Sequence, residues 1–129
     1  MTTNKMYLLD THTIIWYLSK SSGLTNLALK LIEQQNCVAH IVSFWEIAVK
    51  VSLGKLLLNA SIAEMIDELK KQEIEILPVN IHALEIVQNL PFHHRDPFDR
   101  LLIAEALIYN LTIISADTNL DNYKVQRIW

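Results

Sequence analysis

Glycine is nearly absent from this 129-residue chain: there are two, Gly23 and Gly54. A glycine-rich phosphate loop needs several within a few residues, so dinucleotide-binding and P-loop folds are excluded. Cysteine is rarer still. Cys37 alone can form neither an intrachain disulfide nor a cysteine-based zinc site. It sits in the apolar stretch Cys37-Val38-Ala39-His40-Ile41-Val42 and is expected to be a buried thiol. No apolar run approaches the roughly 20 residues of a membrane span, and no basic N-terminal stretch leads into an apolar signal core. With no disulfide chemistry either, a cytoplasmic location is expected. Charge is also sparse, at 19% of residues.

What is present is an apolar half. Hydrophobic residues make up 51% of the chain, enough to fill the core of one compact domain, residues 1–129. Net charge is −3, which counts superficially against a nucleic-acid partner. The distribution matters more than the sum. If four of the 14 acids share one metal site, ten remain against 11 Lys and Arg, a balance of +1.

The pattern alternates strands and helices. Met6-Tyr7-Leu8-Leu9 reads as a buried strand ending at Asp10. A short helix over 11–18 follows, then a longer one over 25–36 capped by Thr25 after the turn at Gly23. Residues 37–42 read as a second strand. Ser43 is expected to cap the next helix, with Glu46 at capping-box spacing and Gly54 just past the end. Ser61 and Glu64 form a second box at the start of a helix over 61–73. A strand over 74–79 contains Pro78, which suggests a sheet edge. A helix over 80–89 capped by Asn80 leads to a loop over 90–95. Asp96 then caps a helix that starts with Pro97 and runs to about Asn110. Strands over 111–115 and 125–128 finish the chain. This alternation predicts an α/β fold: a three-layer α/β/α sandwich around a mostly parallel sheet of four or five strands.

In such a sheet, ligands bind at the carboxyl ends of the strands. Asp10 ends strand one. Glu46 is expected in the first turn after strand two. Asp117 lies two residues past strand four. Asp99 opens the helix antiparallel to strand four. All four acids are thus expected at one edge. Two carboxylates about 4 Å apart repel by about 4 kcal/mol at an effective dielectric of about 20, so a cation or raised pKa values must relieve the crowding. Oxygen ligands without cysteine favour Mg²⁺ or Mn²⁺. Taken singly, three of the acids have plainer roles. Asp99 suits a helix first turn, Glu46 can pair with Lys50 one turn on, and Asp117 can start the turn Ala116-Asp117-Thr118-Asn119. An acid at the end of a central strand is harder to dismiss.

The chain resembles the PIN-domain family, in particular VapC-type toxins of bacterial toxin–antitoxin pairs. The resemblance rests on Leu8-Leu9-Asp10-Thr11-His12, Ser43-Phe44-Trp45-Glu46-Ile47-Ala48 and Lys50-Val51-Ser52-Leu53-Gly54-Lys55-Leu56. It continues through His94-Arg95-Asp96-Pro97-Phe98-Asp99-Arg100-Leu101-Leu102-Ile103-Ala104, Ile114-Ser115-Ala116-Asp117, Tyr123-Lys124-Val125 and Ile128-Trp129. It implies Mg²⁺- or Mn²⁺-dependent cleavage of RNA by in-line attack of water, leaving 5′-phosphate and 3′-hydroxyl ends. It maps the family's acids onto Asp10, Glu46, Asp99 and Asp117, the last being the most variable position. It also implies a homodimer and a cognate antitoxin protein. The competing reading is a catalytically inactive PIN-like module that binds RNA or protein.

Several neighbours invite a role. Thr11 and Ser115 flank the acids and can hold a water or phosphate oxygen, or serve as cap and turn residues. Arg95 and Arg100 bracket Asp99 and can grip phosphate, or pair elsewhere. His93 and His94 can serve as proton shuttles, though adjacent loop histidines are expected in solvent, and His12 is expected as a hydrogen-bonded structural residue rather than a ligand. Trp16 and Trp45 are expected in the core or at a dimer contact. Lys50, Lys55, Lys70 and Lys71 can face phosphate, though solvated helix faces are the default. Two other architectures fail on residues. A receiver domain wants an early acid pair that is missing, and an aspartate-nucleophile phosphatase wants Asp-x-Asp where position 12 is His.

Overall fold

The computed structural model describes residues 5–129. Its strands are β1 (Met6–Leu9), β2 (Asn36–His40), β3 (Glu75–Leu77), β4 (Thr112–Ile114) and β5 (Gln126–Ile128). Its helices are α1 (Thr11–Leu18), α2 (Asn26–Gln34), α3 (Ile41–Ser52), α4 (Ile62–Lys71), α5 (Ile81–Asn89) and α6 (Pro97–Tyr109). A 3₁₀ turn spans Thr118–Asn122.

All strand pairs are parallel, in the order β3-β2-β1-β4-β5. Parallel strands need crossovers, which is why helices cover both faces. The side-chain alternation of β1 divides the core in two. Leu8 joins Val38 and Ile113 under α5 and α6. Tyr7 and Leu9 join Cys37, Ala39 and Ile114 under α1, α2 and α4. Helix α3 leaves the end of β2 and contributes to both, with Val42 on one side and Phe44 and Ile47 on the other. The three-layer expectation is therefore met.

Most caps follow the sequence. Thr25, Ser61 with Glu64, Asn80 and Asp96 begin their helices as expected, and Gly54 adopts φ +70° after α3. Pro78 follows β3, which is an edge strand. Cys37 is buried, and burial pushes its thiol up to about 11.

The start of α3 differs. Its cap is His40, not Ser43: the His40 Nδ1 accepts the Val42 N–H at 2.9 Å, so β2 ends at His40 and Ile41–Val42 are helical. The reason is tertiary. His40 Nε2 meets Glu105 of α6 in a fully buried pair, which fixes the imidazole where it can cap. Ser43 consequently lies inside the first turn, and Glu46 stands at the sixth helical residue rather than in that turn.

Strand order reverses at β1. The path runs β1 to β2 to β3 on one side, while β4 and β5 lie on the other. The carboxyl ends of β1 and β4 therefore flank the switch point, where a parallel sheet opens a crevice.

Candidate active site

Asp10 enters this crevice directly from β1. Its backbone N–H donates to the Ile114 carbonyl at 3.3 Å, so the sheet ladder carries through to it. Its Oδ1 accepts the Thr13 N–H at 2.9 Å, capping α1, with the Thr13 hydroxyl 2.6 Å away. Burial raises the Asp10 carboxyl above the ordinary carboxylate range, while hydrogen bonds from Ser115 and Thr13 and the nearby His12 pull against it.

Glu46 comes up from α3 and is 3% exposed. Its Oε1 accepts from the Thr11 hydroxyl at 2.7 Å, and Ser43 Oγ lies 3.0 Å from the same hydroxyl. Its Oε2 accepts from Lys50 Nζ at 2.5 Å, the i,i+4 pairing that the sequence allows. Thr11 and Ser43 are thus fixed to a site acid rather than turned outward.

Asp99 occupies the first turn of α6 behind the Asp96 cap, whose Oδ1 accepts the Phe98 N–H at 2.8 Å and the Asp99 N–H at 3.3 Å. Burial first, then the charges of Asp96, Glu46, Asp10 and Asp117, push its carboxyl up to about 7. Desolvation is the larger part of that shift, and the four neighbouring acids add to it.

Asp117 follows β4. Its N–H donates to Ser115 Oγ at 3.0 Å, and its Oδ1 accepts the Asn119 N–H at 3.0 Å. The anticipated turn and the site role coexist. Arg127 braces this corner from β5, donating to the Ser115 carbonyl at 3.0 Å while its Nε and Nη2 hold both oxygens of Asp121. Ser115 is completely buried. It links Asp10 and Asp117.

Asp10, Glu46, Asp99 and Asp117 line one hollow of about 340 Å³, together with Asp96, Lys50, His12 and Trp16. The four acids expected at one edge line the same hollow, and among the described residues Asp99 and Asp117 are the two whose oxygens belong to a convergent ligand group. Such a set of oxygen donors fits a hard divalent cation, which would relieve the repulsion that raises Asp99.

Other expectations change. Arg100 is 5% exposed and donates to four backbone carbonyls: Pro91 and His94 through Nη1, Val87 and Leu90 through Nη2. Phe92 covers its guanidinium at 4.2 Å. All of this ties the 90–95 loop to α6, so Arg100 has no free face for phosphate. Arg95 is exposed. His12 is also exposed rather than held as a structural residue. Its ring lies 5.8 Å from that of Trp16. Trp45 is 59% exposed and meets Phe98 edge-on at 4.8 Å, so it is not a core residue.

His94 is the residue that sequence reasoning placed wrongly. Its side chain is 12% exposed, with Nε2 lying 2.9 Å from Asp117 Oδ2. Tyr123 holds it: the ring stacks at 3° to the tyrosine ring, and the His94 N–H donates to the Tyr123 hydroxyl at 2.7 Å. One ligand atom each from His94, Asp99 and Asp117 lie within 4.8 Å of one another. Its place two residues before the Asp96 cap was the available signal.

With this geometry in view, known proteins can be compared. The family model for the PIN domain matches residues 7–126. The chain belongs to the PIN-domain family. None of the curated proteins matches it by sequence. Solved structures share the PIN fold. A chain of the VapBC2 complex from Rickettsia felis, bound to a DNA fragment from its promoter, has a TM-score of 0.71 at 13% identity, covering 95% of this chain and 97% of that one. A chain of FitAcB from Neisseria gonorrhoeae scores 0.66 at 19% identity, covering 96% and 97%. A chain of DNA-bound VapBC from Salmonella typhimurium scores 0.67 at 12% identity, covering 98% of both. This PIN domain therefore has the fold of chains found in VapBC complexes.

Proposed function

We propose that this PIN domain is a divalent-metal-dependent endoribonuclease acting as the toxin of a cytoplasmic toxin–antitoxin pair. The observation that carries the reading is the placement of Asp10, Glu46, Asp99 and Asp117, from four separate elements, around one hollow. Carboxylates gathered in this way suit a site whose cation is supplied from solution. Asp10, Glu46, Asp99 and Asp117 would hold Mg²⁺ or Mn²⁺. A bound ion of this kind lowers the pKa of water and offsets charge on phosphate oxygens.

The chain's own residues prepare the site. Thr13 and Ser115 aim Asp10, Thr11 aims Glu46, and His94 lies against Asp117. Lys50 supplies a cation beside Glu46 and can move to a substrate phosphate when a divalent ion takes that carboxylate. Arg95 is the arginine of the motif offered to RNA. The VapBC neighbours support a cognate antitoxin partner. We also assign a homodimer, for which the exposed Trp45 is an available contact.

The test is a panel of RNAs incubated with the purified chain and Mn²⁺, with product ends mapped. Cleavage to 5′-phosphate and 3′-hydroxyl ends, lost with chelator, is expected. RNA retained uncut at every Mn²⁺ concentration would point instead to an inactive binding module. Toxicity on expression, rescued by the adjacent gene product, tests the biological role.

A further inference from the structure

Beside the acidic hollow lies a second one of about 380 Å³. His12, Trp16 and Lys50 line both, and Lys55 borders only the second. Its floor is apolar, formed by Ile15, Ile47 and Leu56. The two hollows therefore adjoin at the His12–Trp16 pair and Lys50, with Lys55 farther out along the second.

We propose that His12 and Trp16 form a stacking subsite for an RNA base next to the bond being cut, with Lys55 holding the phosphate beyond it. The proposal rests on the ribonuclease reading and adds where the neighbouring nucleotide goes. Three features support it. First, Trp16 is held by structure rather than by a ligand. A Cβ on Gly23 would come within 3.1 Å of its indole, and the Trp129 ring lies 5.7 Å away on its other contacts. A platform set in advance loses little entropy on binding. Second, the exposed His12 ring lies beside it, with centroids 5.8 Å apart, so two aromatic rings face the boundary between the hollows. Third, the charge order is right. The acids suit a cation at the reacting phosphate, while Lys50 at the boundary of the two hollows and Lys55 in the second suit phosphates leading away from it on that one side.

An unpaired base has a π-face whatever its identity, so stacking binds single-stranded RNA with little sequence preference. Loss of one stacking partner costs about tenfold or more in affinity. This subsite would make the enzyme prefer unstacked loops over duplex, since a base within a helix cannot reach it.

The test separates binding from cleavage by using full-length chain carrying Asp10→Asn. A fluorescein-labelled single-stranded decaribonucleotide of mixed sequence, and the same oligonucleotide fully abasic, serve as probes in anisotropy titrations. Trp16→Ala should weaken binding of the base-bearing RNA about tenfold or more while changing the abasic affinity less than threefold. Trp16→Phe should recover most of the loss. His12→Ala, at an exposed position that folding does not need, should show the same base-dependent loss at smaller size. Lys55→Gln should weaken both probes equally. In parallel, the decamer with 5-iodouridine at every uridine should photocrosslink to His12 or Trp16. Equal losses on the two probes for Trp16→Ala and His12→Ala, or crosslinks confined to Trp45 and Phe98, would overturn the subsite. A base-dependent loss in the Asp10→Asn background, together with a parent chain that never cuts RNA, would keep a base-stacking site and sink the nuclease reading instead.

Discussion

Two buried clusters of polar groups sit near the same end of the sheet, and they are built on opposite principles. In one, Glu105 and His40 are both fully buried and paired with each other. Glu105 Oε2 also accepts the Asn80 N–H at 3.3 Å, and His40 caps α3. In the other, Asp10, Glu46, Asp99 and Asp117 crowd one hollow with Lys50 and His94 as their nearest basic partners. A buried charge is tolerated only when a partner is at hand. The His40–Glu105 pair finds that partner inside the fold and joins β2, α3 and α6. The acidic hollow leaves its charge in excess. The difference separates an acid that holds the fold from acids that wait for a ligand.

The comparison breaks most visibly in activity. Asp10→Asn keeps the shape of the Asp10 side chain and its cap of α1 but removes a charge from the hollow. Loss of a group that merely orients a metal ligand costs about 10–100-fold, so loss of this carboxylate should lower RNA cleavage by more than about 100-fold. Circular dichroism and melting temperature should stay near those of the parent chain. A variant that still cuts at the parental rate would place the chemistry elsewhere.

The opposite pattern belongs to the other cluster. Glu105→Ala leaves His40 buried without its acid and should cost about 3–5 kcal/mol in urea unfolding. Urea midpoints for Glu105→Ala and His40→Ala that match the parent would show the pair to be structurally idle.

His94 tests the boundary between the two kinds of site. His94→Gln removes the imidazole that faces Asp117 but leaves the main-chain bond to Tyr123. Mn²⁺ affinity should fall by about tenfold, at the lower end for a supporting residue. Unchanged affinity would confine His94 to packing on Tyr123.

The smallest effect is in pH. Asp99 holds its proton up to about 7 in the folded chain, against an ordinary value of 3.8. The folded state thus binds that proton more tightly than the unfolded state, and ionised Asp99 opposes folding above pH 7. Metal-free protein should gain stability as pH falls from 8 to 6, by roughly 3–5 °C for each kcal/mol recovered. Asp99→Asn should remove this gain. A melting temperature that falls over the same interval in metal-free parent protein would contradict the raised value.

Much of this was legible in the sequence, for a physical reason. Strand ends, helix caps and the alternation of β and α are local, and Asp10, Asp99 and Asp117 sit at positions that local rules define. The parallel order then carries them to one edge. What escaped depended on distant partners. Ser43 has a good capping side chain, but His40 wins because Glu105, 65 residues away, fixes its ring. Arg100 has the chemistry of a phosphate binder, yet the carbonyls of the preceding loop consume its donors. Thr11 and Ser115 flank the site as expected, but turn their hydroxyls to the acids. His94 was expected in solvent because its neighbours in the loop do not announce Tyr123, 29 residues on, which packs against it. Glu46 was legible as an acid at the sheet edge, but the capping-box reading put it in the first turn of its helix, and the His40 cap moves it to the second turn of α3.

The central claim is that the acidic hollow, unlike the His40–Glu105 pair, is completed by a divalent cation. Calorimetric titration of Mn²⁺ into the parent chain and into Asp10→Asn at pH 7.5 tests it most directly. Saturable binding by the parent, weakened more than about 100-fold in a folded Asp10→Asn, is the predicted result. Equal binding by both chains, or none by either, would contradict it.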